Sequence, residues 1–112
     1  MQGRGEQATK LEKDALALQE AGAFAVVLEM VPADLAKEIT SKLSVATIGI
    51  GAGNSTDGQI LVWQDFAGLS DGSRKFVKQY ANLRSELSEA ASRYRSEVLS
   101  GDFPSKDHSF DS

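Results

Sequence analysis

The chain has 112 residues, of which 41% are hydrophobic and 25% charged, a balance typical of one soluble globular domain. Its net charge of −4 argues mildly against a nucleic-acid partner, which would favour a basic surface. It contains no cysteine, which excludes disulfides and thiolate metal sites. No apolar run approaches the roughly 20 residues of a membrane span, and the polar amino terminus lacks the apolar centre of a signal peptide, so we expect a cytoplasmic protein.

The amino-terminal half predicts the order helix, strand, helix, strand. Apolar residues at helical spacing predict a helix over Gln7–Ala21. The run Phe24–Leu28 shows no polar alternation, which predicts a strand of a parallel sheet buried on both faces. Pro32 suits the first turn of a second helix, and Val45–Ile50 predicts the second strand. Strands and helices that alternate at this spacing indicate parallel crossovers and an α/β fold.

The carboxyl-terminal half predicts one more strand and two helices. After a turn-rich loop, Ile60–Trp63 predicts a third short strand, Lys75–Tyr80 a short helix and Asn82–Leu99 a longer one, with Asn82 as its cap. Residues 101–112 are polar and predict a surface tail that follows one domain over residues 1–100. A sheet of three parallel strands leaves its edges open, so we expect further strands from elsewhere.

Glu29 is the first candidate for chemistry, because it ends an apolar strand and active-site groups of α/β enzymes collect at the carboxyl ends of parallel strands. Partial desolvation there would make a carboxylate a better base. The alternative is a structural glutamate whose carboxylate accepts hydrogen bonds from backbone N–H groups. The sequence pattern leaves both open.

The other candidates are less specific. Gly49, Gly51 and Gly53 end the second predicted strand and either let a ligand approach the backbone or allow tight packing. Asp65 follows the third predicted strand and either orients a ligand or caps a helix, capping being commoner. His108 has no residue at metal-ligand spacing, so we expect no metal site there.

Five blocks of the sequence carry a family resemblance: QGR at Gln2–Arg4, DALALQEAGAFAVVLEMVPADLAKEIT at Asp14–Thr40, IGIGAGNSTDGQILVWQD at Ile48–Asp65, KFVKQYANL at Lys75–Leu83 and FPSKDHSF at Phe103–Phe110. In this order and over nearly the whole chain they resemble ketopantoate hydroxymethyltransferase. That family is also named 3-methyl-2-oxobutanoate hydroxymethyltransferase, and it acts in pantothenate biosynthesis.

The resemblance implies a (β/α)₈ TIM barrel of the phosphoenolpyruvate/pyruvate type. The family transfers a one-carbon unit from 5,10-methylenetetrahydrofolate to α-ketoisovalerate, and a bound Mg²⁺ stabilises the enolate. Glu29, within LEMVP, stands at the position of the family's catalytic base, with Met30 where many members have cysteine. Gln64 and Asp65 stand where many members have His-Asp. Full-length members form homo-oligomers.

Length is the main departure from the family, because a full barrel needs about 250 residues. The resemblance covers about strands six to eight and the carboxyl-terminal helices, and the family's metal ligands and its substrate-binding lysine and serine have no counterpart here. We therefore expect the carboxyl-terminal portion of the enzyme, inactive alone and completed by the missing amino-terminal strands. The alternative is a non-catalytic half-barrel that serves as a binding or assembly module.

Overall fold

The computed structural model describes residues 5–72 and 74–111. They divide into two compact units, one of residues 5–62 with 74–78 and one of residues 63–72 with 79–111. The first unit contains two helices and three strands: α1 (Glu6–Glu20), β1 (Ala25–Glu29), α2 (Ala33–Lys42), β2 (Ala46–Ile50) and β3 (Gly58–Gln59). The second unit is helical and contains α3 (Trp63–Phe66), α4 (Leu83–Ser100) and a 3₁₀ turn at Lys106–His108.

The expected parallel sheet is confirmed. Its strand order is β1-β2-β3, and both pairings are parallel. The helix α2 forms the crossover between β1 and β2, and the register pairs Glu29 with Ile50. The carboxyl ends of β1 and β2 therefore lie side by side, with the loops that follow them.

The core lies on one face of the sheet. The residues buried there come from both helices and from β1, and they include Ala15, Val26, Leu28, Leu35 and Ile39. The prediction that β1 is buried on both faces is wrong for this chain, because the side chain of Val27 is 56% exposed. Since side chains alternate along a strand, α1 and α2 cover the face of Val26 and Leu28, and no described residue buries the opposite one.

A buried threonine fixes the loop after β2 to the crossover helix. Thr47 is fully buried, and its Oγ1 lies 2.8 Å from Oγ1 of Thr40 on α2. The carboxylate of Asp57 accepts a hydrogen bond from the N–H of Thr47 at 2.8 Å, and the N–H of Asp57 donates one to Thr47 Oγ1 at 3.2 Å. These hydrogen bonds tie the far end of the loop, at Asp57, to β2, and they tie β2 to α2.

The third strand lies earlier in the chain than predicted. β3 is only Gly58–Gln59, and it pairs with Ile48 and Gly49 of β2. The N–H of Ile60 still donates to the carbonyl of Gly49, but β2 ends at Ile50. Among the described residues, no strand remains for residues 61–63 to pair with, which is why the predicted strand Ile60–Trp63 is wrong.

The short helix predicted at Lys75–Tyr80 is also absent, and residues 75–80 are irregular. The backbone N–H of Tyr80, the last residue of the predicted helix, donates instead to the carbonyl of Phe66 at 2.7 Å. The longer helix is confirmed as α4, although Asn82 makes no side-chain capping hydrogen bond. In the tail, the ring of Phe103 lies between those of Tyr94 and His108, at centroid distances of 5.6 and 5.1 Å.

Candidate functional site

Glu29 is the last residue of β1, and its side chain is exposed. Strand alternation places it on the sheet face that α1 and α2 leave open, beside Ile50 of β2. Within residues 5–72 and 74–111, no group forms a hydrogen bond or ion pair with its carboxylate. The described residues therefore do not show the structural alternative, in which the carboxylate of Glu29 accepts hydrogen bonds from backbone N–H groups.

A cavity of about 600 Å³ lies at the carboxyl ends of β1 and β2, within the first compact unit. We call it the rim cavity. Met30, which follows Glu29, and Gly51, which follows Ile50, both line it, so it adjoins the strand ends that carry the carboxylate. Its lining comes from the loops after the two strands, from β3 and from residues 75–76: Met30, Val31, Pro32, Ala33, Gly51, Ala52, Gly53, Asn54, Gln59, Lys75 and Phe76.

Two glycines shape this cavity. Gly51 has φ +67, and a Cβ there would lie 3.0 Å from atoms of the Phe76 ring. Gly53 has φ +77, and a Cβ there would lie 2.6 Å from Cβ of Ala33, the first residue of α2. The tight-packing alternative is therefore confirmed at Gly51 and Gly53, which also line the rim cavity, and the approach of a ligand to their backbone stays a prediction.

Met30 also has a positive φ, of 54°. A non-glycine residue in the left-handed region is uncommon, and such residues cluster at functional sites. This conformation turns the chain directly after Glu29 toward α2. The sequence block LEMVP marks the position but gives no sign of its backbone conformation.

Sequence reasoning missed Lys75 and Phe76 as site residues. They lie more than twenty residues after the glycine loop along the chain, in a segment for which the local pattern predicted a helix. Only the tertiary structure places Phe76 against Gly51. No local signal could have identified the pair.

The remaining candidates lie in the second unit. Asp65 is in α3, and its carboxylate accepts a hydrogen bond from Ser70 Oγ at 2.6 Å, which ties down the turn that follows. It caps no helix. His108 Nδ1 lies 2.9 Å from Ser105 Oγ. Across the described residues, no group of three or more His, Cys, Asp or Glu side chains could hold a metal ion, and no helix is long and apolar enough to cross a membrane.

The parallel strands, the helical crossover and a carboxylate at a strand's carboxyl end define an α/β protein of the kind whose sites lie at that edge of the sheet. The sequence profile of the family described as ketopantoate hydroxymethyltransferase matches residues 1–106. The chain therefore belongs to the ketopantoate hydroxymethyltransferase family.

Curated relatives agree with this assignment. The chain is 58% identical over 111 residues to the 3-methyl-2-oxobutanoate hydroxymethyltransferase of Paenarthrobacter aurescens (strain TC1), 56% to that of Mycobacterium sp. (strain KMS) and 54% to that of Rhodococcus jostii (strain RHA1). Each match covers 98% of this chain but only 37%, 39% and 38% of the respective relative. The chain thus spans well under half the length of the curated relatives it matches.

Proposed function

We propose that this chain supplies the carboxyl-terminal strands of a 3-methyl-2-oxobutanoate hydroxymethyltransferase, with Glu29 as its catalytic base. The observation that carries the proposal is the unpaired carboxylate of Glu29 at the carboxyl end of a parallel strand, in a chain that belongs to this family. The activity is transfer of a one-carbon unit from 5,10-methylenetetrahydrofolate to α-ketoisovalerate, which gives ketopantoate for pantothenate biosynthesis.

The partial-barrel architecture is part of the same proposal. The sheet begins with β1, so one edge of this strand has no partner among the described residues. A groove of about 220 Å³ runs along β1 beside α1, and it is lined in part by Leu11, Leu18 and Val27. A further parallel strand from the missing amino-terminal segment would pair with this edge and fill the groove, as successive strands do in a (β/α)₈ barrel.

The keto acid would then lie on the open face of the sheet. There the carboxylate of Glu29 removes the proton from the carbon next to the keto group. The resulting enolate carbon forms a bond to the one-carbon unit, whose bonds to the folate nitrogens break; water supplies the hydroxyl group and tetrahydrofolate leaves. Ile50, the register partner of Glu29, lies beside it and offers an apolar contact to a branched aliphatic group.

Among the described residues, no group of three or more His, Cys, Asp or Glu side chains could hold a metal ion. In this proposal the Mg²⁺ implied by the family resemblance is held by residues other than those described, and none of the steps above depends on it.

The test restores the missing segment, either as a second chain or as a fusion, and compares Glu29→Gln with the parent. Glutamine keeps the shape of the side chain but cannot take a proton, so we expect ketopantoate formation to fall about 10²- to 10⁴-fold while substrate binding changes little. Asp65→Asn is the control, with a smaller expected effect, because Asp65 is bonded to Ser70. Near-parental turnover in Glu29→Gln would remove Glu29 as the base.

A further inference from the structure

Met30 is the one non-glycine residue among those described whose φ lies in the left-handed region, at 54°. A side chain with a Cβ disfavours this region, and a residue remains in it only where its surroundings leave no alternative. Here the backbone is fixed on both sides. The N–H of Met30 donates to the carbonyl of Ile50 at 2.9 Å, and Val31 is buried in the core. Pro32 directly precedes α2, and its carbonyl accepts a hydrogen bond from the N–H of Ala36 at 2.9 Å.

The left-handed residue interrupts the alternation of side chains along β1. In an extended strand every second residue shares a face, so residue 31 would follow Val27 and Glu29 on the face that the helices leave open. Val31 is instead 4% exposed and belongs to the core together with Val26 and Leu28. Glu29 is therefore the last side chain that this segment places on the open face, and Val31 does not occupy the space beyond its carboxylate.

The hydrogen bond of Met30 also fixes the backbone of Glu29. The peptide unit that joins the two residues is planar, so an N–H held by Ile50 sets the orientation of the whole unit, including the carbonyl of Glu29. That carbonyl points to the side of β1 that has no partner among the described residues. The bond from Met30 to Ile50 therefore ties the carboxyl side of Glu29 to the sheet.

We propose that Met30 is a positioning residue, whose left-handed conformation ends the open face at Glu29 and holds the carboxylate where it takes the proton. Met30 acts through Glu29 and does not need to touch the substrate. The inference rests on the proposed function and adds to it a second residue, which acts through its backbone conformation.

The property that matters is the ability of residue 30 to adopt φ 54°. A residue branched at Cβ is an outlier in this region, whereas glycine enters it freely. Isoleucine and leucine are isomers that differ only in where the side chain branches, so Met30→Leu is the matched control for Met30→Ile. Met30→Gly removes the side chain and keeps the conformation accessible.

The test measures kcat and KM for α-ketoisovalerate in the enzyme completed with the amino-terminal strands of the proposed barrel, supplied as a second chain or as a fusion. Urea denaturation of each variant gives the folded fraction, and kcat is expressed per folded molecule. We expect Met30→Ile to lower kcat about 10- to 100-fold and to leave KM within about twofold, because a displacement of roughly 1 Å at a catalytic group can cost about 10²-fold in rate. Met30→Leu and Met30→Gly should both keep kcat within about threefold of the parent, since both allow the left-handed conformation.

The order of the variants separates this role from two others. If the side chain of Met30 served only to line the rim cavity, Met30→Gly would be the least active and Met30→Ile would resemble Met30→Leu. If Met30 contributed only stability, every variant would recover the parental kcat per folded molecule. Either result overturns the inference, and so does a loss in Met30→Ile that lies in KM alone.

Met30→Gly decides the question if Met30→Ile does not fold. A kcat within about threefold of the parent then supports the inference, and a fall of about tenfold or more overturns it. Failure of the proposed function is read separately, from Glu29→Gln in the same assay. Retained turnover there removes Glu29 as the base, whatever order the Met30 variants show.

Discussion

At Gly53 the loop after β2 packs directly against Ala33, the first residue of α2. We predict that Gly53→Ala destabilises the chain by roughly 1–3 kcal/mol, because alanine disfavours φ +77 and its Cβ would lie 2.6 Å from Cβ of Ala33. Urea denaturation followed by circular dichroism measures the change in the free energy of unfolding. Gly58→Ala is the matched control, since a Cβ there meets nothing within 4 Å. Equal stability of the two variants would contradict the inferred tight packing of Gly53 against Ala33.

At the scale of elements, Thr47 joins α2, β2 and the loop after β2. We predict that Thr47→Val costs roughly 1–3 kcal/mol, because the N–H of Asp57 and the hydroxyl of Thr40 each lose a hydrogen-bond partner at a fully buried position. The denaturation midpoint is the measurement. Thr9→Val on the exposed surface of α1 should change it by a few tenths of a kcal/mol at most, and a similar loss in both variants would argue against the buried bridge.

The helices α1 and α2 are joined by an ion pair, and this pair predicts a pH dependence. Lys42 Nζ lies 2.8 Å from Glu12 Oε2, and this hydrogen bond lowers the pKa of Glu12 and raises the pKa of Lys42. The stabilisation is therefore present between the two ordinary pKa values. It is lost in acid as pH falls through the lowered pKa of Glu12, and in alkali as pH rises through the raised pKa of Lys42.

Thermal unfolding of Glu12→Gln and the parent across this range tests the prediction. We expect the difference in melting temperature to be small, because the pair is solvent-accessible, and to vanish below the lowered pKa of Glu12. Glu20→Gln, at an exposed residue of the same helix, serves as the control. A difference that grows toward acid would show the opposite sign of linkage.

A structural feature of this chain could be predicted from the sequence where its physical cause lies in residues that are neighbours along the chain. The apolar runs before Glu29 and Ile50 predict β1 and β2, because burial of consecutive apolar residues in a parallel sheet leaves that pattern in the sequence itself. β3 was misplaced because its extent is set by the end of β2 and by the register, neither of which is local to residues 58–63. Glu29 could be named as a site residue for the same local reason, whereas Phe76 could not, since only the fold brings it to Gly51.

At the scale of the whole molecule, we predict that this chain alone shows no ketopantoate formation. The described residues include the proposed base, Glu29, but no group of three or more His, Cys, Asp or Glu side chains that could hold a metal ion, and the chain spans 37–39% of its curated relatives' length. The assay combines purified chain with Mg²⁺, α-ketoisovalerate and 5,10-methylenetetrahydrofolate, and the same assay with the missing segment restored is the positive control. Turnover by the chain alone above the buffer rate would overturn the prediction.

The open edge of the sheet predicts how the chain behaves in solution. Met30 donates its N–H to Ile50, and strand backbones alternate in direction, so the backbone groups of Val27 and Glu29 point to the side of β1 that has no described partner. An unpaired edge next to an exposed valine favours pairing with another copy. We therefore predict that the chain self-associates, with a sedimentation coefficient that rises with concentration.

Val27→Lys tests whether β1 is the surface responsible. Because Val27 is 56% exposed, a lysine there should cost little folding free energy, while its charge opposes strand pairing. We expect this variant to shift toward monomer, and Ala17→Lys, at an exposed position of α1, to associate like the parent. The amino-terminal strand of the proposed barrel, supplied as a second chain, should suppress association in the same way, since it would occupy the edge. A concentration-independent monomer with cooperative thermal unfolding would show that β1 needs no neighbour, and the partial-barrel architecture would lose its physical support.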